Sequence, residues 1–159
     1  MTNHPLIDDS LTGEHGQPLR VLFSFAGRWC GTDGRLDSPF VRNFPVDREL
    51  SRLAASVEPG DMQLCRAADA QETLNRVEAG GLSGAVVYAG PRREGLELLS
   101  LIRAIDDVLP CWLVTPQPTR QVLEAALALR VASVFAAPLD PDIFIAALRR
   151  TLIGPPYTN

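Results

Sequence analysis

Residues 84–115 read GAVVYAGPRREGLELLSLIRAIDDVLPCWLVT, and their pattern decides the fold. Gly84 to Tyr88 (GAVVY) and Cys111 to Thr115 (CWLVT) are short apolar runs rich in Val and aromatic residues, as expected of strands covered on both faces. Between them, Gly95 to Asp107 places Leu98, Leu99, Ile102 and Ile105 at helical spacing. Strand, helix and buried strand together predict a right-handed β-α-β unit with parallel strands.

The same alternation continues on either side. Upstream, Arg20 to Ala26 (RVLFSFA) reads as a buried strand. From Asp47 a helix is expected, with Leu50, Leu53, Ala54 and Val57 on one face and Pro59-Gly60-Asp61 as its stop. Met62 to Arg66 (MQLCR) alternates like a half-buried strand, and Asp69 with Glu72 has the spacing of a helix capping box. That helix ends at Gly80-Gly81. Downstream, Thr119 caps a helix through Leu129, Val131 to Ala136 is a strand, and Asp140 opens a last helix through about Leu152, stopped by Gly154-Pro155-Pro156. Five strand–helix repeats predict an α/β fold, a three-layer α/β/α sandwich around a five-stranded parallel sheet of order 2-1-3-4-5. The domain is expected over 19–153, with a polar arm at 1–18, a long loop at 27–45 and a tail or linker start at 154–159.

Composition restricts the function. The 159 residues are 46% hydrophobic and 21% charged, with a net charge of −4, which suits one soluble domain with a real core. Neither a secretory signal nor an apolar run long enough to span a bilayer is present, so a cytoplasmic protein without a membrane partner is expected. All 15 basic residues are arginine, and they are scattered. With a pI near 5.1, direct nucleic-acid binding is not expected. The lack of lysine excludes Schiff-base chemistry and a P-loop lysine. Cys30, Cys65 and Cys111 are far apart, and His4 and His15 lie in the polar arm, so no metal site is expected. Cys65 and Cys111 read as core thiols.

The run from Gly84, followed by RVASVFAAPLDPDIFIAALRRTL from Arg130, resembles the second half of a response-regulator receiver domain, a CheY-like member of the flavodoxin-like folds. Pro91, Gly95-Leu96, Thr115 and Pro138 carry the resemblance, which covers 84–152 and extends over 20–80 in pattern alone. It implies a crevice at the carboxyl ends of the strands, here Phe25, Val87, Tyr88, Thr115, Ala137 and Pro138. Receivers phosphorylate an aspartate that ends the third strand. They hold magnesium with two acidic residues after the first strand, and contact the phosphoryl oxygens with a Thr or Ser and a Lys. A carboxylate attacks phosphate only where cations and donors neutralise the developing charge.

By that resemblance Val87 stands at the phosphoacceptor position, and a shift of one residue gives Tyr88. Ser24, Phe25, Ala26 and Gly27 replace the acidic pair, and Ala137 replaces the lysine before Pro138. Thr115 alone is retained. The expectation is a degenerate pseudo-receiver with no phosphoacceptor, no catalytic residue, no metal and no cofactor. Other acids could stand in: Asp8-Asp9 as a displaced acidic pair, Asp33 and Asp37 folding back from the long loop, and Glu94 facing the crevice. Solvated loop and turn residues are the simpler reading. The run FSFAGRWCGTDG is similar to the thioredoxin active-site stretch, but Asp33 stands at its second cysteine and Gly31, Gly34 and Pro39 argue against the helix that would activate Cys30.

In receivers the fourth helix, fifth strand and fifth helix commonly form the partner face. Here these are about 119–129, 131–136 and 140–152, and the candidate contact residues are Arg120, Leu123, Leu127, Arg130, Phe144 and Arg149. The Ala- and Leu-rich fourth helix has few charges for its outer side, and Ala125, Ala128 and Ala132 would admit another helix closely. An Ala137-Pro138 cis bond would match the family's Lys-Pro turn. The leading expectation is therefore phosphorylation-independent signal transduction through a protein partner or homodimer. The chain would act as an adaptor or as the N-terminal regulatory domain of a transcription regulator. The alternative is a small-ligand sensor or small enzyme using the crevice, with residues 27–45 as a lid.

Overall fold

A computed structural model describes residues 18–24, 46–57, 60–89 and 94–153; for 46–49 and Glu94 only the backbone is described. The expected arm, the loop at 27–45 and the tail lie outside these residues, apart from Pro18.

The elements alternate as β1 (Leu19–Ser24), α1 (Val46–Ala55), β2 (Met62–Ala67), α2 (Ala70–Ala79), β3 (Gly84–Tyr88), α3 (Glu94–Ile105), β4 (Cys111–Thr115), α4 (Arg120–Ala128), β5 (Ser133–Ala136) and α5 (Pro141–Ile153). The strands form one parallel sheet of order β2-β1-β3-β4-β5, as expected. Strand alternation divides the core in two. Leu22, Ala85, Val87, Cys111 and Leu113 face α2, α3 and α4, meeting Val77, Leu99, Ile102 and Ala126. Val21, Phe23, Val86, Tyr88, Trp112 and Val114 face α1 and α5, meeting Leu53, Phe144, Ile145 and Leu148. On this second side Phe144 packs edge-on against Phe23 and Phe135, at centroid distances of 6.3 and 4.8 Å.

The helix starts follow local chemistry. Asp69 accepts from the Glu72 N–H at 2.8 Å. The Glu72 carboxylate reaches back to the Ala68 N–H, one residue before the cap. Thr119 accepts from Val122 N–H, and Asp140 accepts from the N–H groups of Asp142 and Ile143, with Pro141 at the first helical position.

Two boundaries and one helix face differ from the expectation for identifiable reasons. Helix α3 stops at Ile105, not Asp107, because the Asp106 side chain accepts from Val108 and Leu109 N–H and turns the chain. Strand β5 starts at Ser133, not Val131, because the Val131 N–H is still bonded to Ala126 O at the end of α4. Ala54 is exposed, so the buried stripe of α1 is narrower than its spacing suggests.

Gly84 lies under the Trp112 ring: a Cβ there would sit 2.6 Å from a ring carbon. Trp112 is fully buried, and its indole N–H has no hydrogen-bond partner among the described residues. The α4–β5 turn passes through Arg130 at φ +59°, a left-handed conformation that disfavours any residue with a Cβ. Arg130→Gly is therefore expected to raise stability by about 1 kcal/mol, read as a higher denaturation midpoint with an unchanged slope.

Candidate functional site

The crevice expected at the carboxyl ends of the strands is built from apolar walls and hydroxyl groups that already have partners. β1 ends on Ser24, which is fully buried. Its Oγ lies 2.7 Å from Thr73 Oγ1 on α2, and that hydroxyl donates to Asp69 O at 2.9 Å. The Ser24 hydroxyl is then the donor to Thr73, so both protons are committed within the fold. Thr73 was not legible as a site residue, because its partner is 49 positions away.

β3 ends on Val87 and Tyr88, both fully buried on opposite sides of the sheet. Val87 lies between Ser24 and Leu113 in the strand register, and the Tyr88 and Phe23 ring centroids are 6.4 Å apart. Ala89 continues the ladder by donating to Val114 O at 2.8 Å. β4 ends on Thr115, which is 3% exposed. Its Oγ1 accepts from Gln117 N–H at 3.3 Å, and its carbonyl accepts from Ala137 N–H at 2.9 Å. Ala137 is half-buried, Pro138 is exposed, and the peptide bond between them is cis, as the resemblance implied.

Thus Val87, Tyr88, Thr115 and Ala137 do gather at one end of the sheet. Phe25 lies outside the described residues, as do Asp8, Asp9, Cys30, Asp33 and Asp37; the Glu94 side chain does too. Among the described residues, no three His, Cys, Asp or Glu side chains lie close enough to hold a metal ion. The nearby acids Asp69 and Asp140 accept from helix N–H groups. Val87, Tyr88, Thr115 and Ala137 themselves bring neither a carboxylate nor a cation to this end of the sheet, the groups that a carboxyl-phosphate reaction requires.

The six residues expected on one contact face do not all share it. Arg120, Leu123, Leu127 and Arg130 are exposed along α4 and the turn after it, and Arg120 bonds Glu124 at 3.1 Å. Phe144 does not belong to this face. It is 1% exposed and fills the core between Phe23 and Phe135, because the apolar stripe of α5 runs through Phe144, Ile145 and Leu148. Arg149 is also turned elsewhere: its guanidinium pairs with Asp61 ahead of β2, at the opposite edge of the sheet from β5.

Cys65 and Cys111 are both free and buried, as expected of core thiols. Burial pushes the Cys111 thiol from its ordinary 9.0 up to about 11, against a smaller opposing pull from Arg103. The folded chain holds this proton more tightly than the unfolded chain does. Its stabilising contribution is therefore complete below about pH 9 and is lost as pH rises toward about 11. Peptide-level thiol labelling at pH 8 should leave Cys111 unmodified until the protein unfolds; rapid native-state labelling would show the thiol to be accessible.

No family model matches the chain, and no curated protein does. Solved structures do. A CheY-like response regulator receiver domain protein from Methanospirillum hungatei is 16% identical, covers 86% of this chain and 95% of its own, and superposes with a TM-score of 0.61. The signal receiver domain of an HD domain-containing protein from Pseudomonas fluorescens gives 17% identity, 86% and 96% coverage, and a TM-score of 0.64. A two-component response regulator of the LuxR family from Aurantimonas gives 19%, 87% and 87%, and 0.63. The chain therefore has the CheY-like receiver fold, with the strand order expected from its sequence. Among the described residues no helix is long and apolar enough to cross a membrane.

Proposed function

We propose that this chain is a receiver-like signalling domain that works by protein–protein contact and without phosphotransfer. The observation that carries this reading is the crevice: Val87, which the resemblance puts at the acceptor position, is fully buried, and the Ser24 and Thr73 hydroxyls are committed to each other and to Asp69. The fold that receivers use for signal relay is kept, while the groups that would make it phosphorylation-dependent are replaced by packing residues. The reading includes no catalysis and no cofactor. The partner surface is the α4 flank with Arg120, Leu123, Leu127 and Arg130, and the setting is cytoplasmic, as the regulatory part of a transcription regulator or as an adaptor.

The test is a magnesium titration of the full chain, with and without beryllofluoride, followed by amide chemical shifts. No saturable shift is expected at Val87, Thr115 or Ala137. A saturable, magnesium-dependent shift at these amides would overturn the reading and point to acids outside the described residues, Asp33 or Asp37 among them.

A further inference from the structure

We draw no further inference here: the strongest candidate, the surface patch of exposed apolar side chains formed by Val108 on the α3–β4 turn and Leu127 near the end of α4, carries nothing because no feature of the structure shows what covers it.

Discussion

Val87→Asp is expected to unfold the domain rather than to give it a phosphoacceptor. Val87 is fully buried and packs in the cluster that contains Leu22, Ala85, Ala89 and Leu113. A carboxylate in that cluster would need cationic or N–H partners, and the described side chains of the cluster are apolar. Thr115 Oγ1 is engaged by Gln117 N–H, and the Ser24 and Thr73 hydroxyls by each other. An unpaired buried carboxylate either takes up a proton or forces the structure open, and the cost is about 3–5 kcal/mol. Against a typical total of about 5–15 kcal/mol, that is enough to leave much of the protein unfolded at physiological temperature. The sign of the pH dependence is diagnostic. Burial raises the new carboxyl above its unfolded value of about 3.9, so the variant loses stability as pH rises from there toward neutral. A variant with wild-type stability that gains a phosphoryl adduct from acetyl phosphate would show that the crevice is more polar than its described walls.

Arg103→Ala carries the second large effect. The side chain it removes satisfies four carbonyls, those of Asp106, Leu109, Leu129 and Arg130, on two turns far apart in sequence. Charge-assisted bonds of this kind are worth more than neutral ones, and the carbonyls left behind are only partly reachable by water. A loss of about 3 kcal/mol is expected, or a fall in melting temperature of about 6–12 °C for a chain of this size. Arg103→Lys should recover less than half, because an ammonium cannot span both turns as the planar fork does. Hydrogen exchange should rise first at 106–110 and 127–132. A variant with unchanged melting and exchange would mean that the turns are held by their backbone alone.

The fold was legible because its determinants are local. Short apolar runs at 84–88 and 111–115, helices between them, and stops at Gly80-Gly81 specify a parallel sheet, and right-handed crossovers restrict its order. Asp69, Thr119 and Asp140 were readable as caps because each bonds N–H groups two or three residues ahead. The sequence also shows that Val87, which the resemblance puts at the acceptor position, is a residue that cannot accept phosphate in any conformation.

What only the tertiary structure decided are the phases and the long-range polar pairs. Phe144 and Ile143 are adjacent on one amphipathic helix, and the angle at which α5 meets the sheet put Phe144 in the core and left Ile143 outside. Arg149 found Asp61 across 88 positions, and Ser24 found Thr73 across 49. Arg103 bonds backbone carbonyls, which every residue possesses, so no side-chain pattern marks its partners in advance. The exposure of Val108 and Leu127 follows the same logic. Periodicity records which side chains could face a core, and only the packing of α3 and α4 against the sheet determines which of them are left facing solvent.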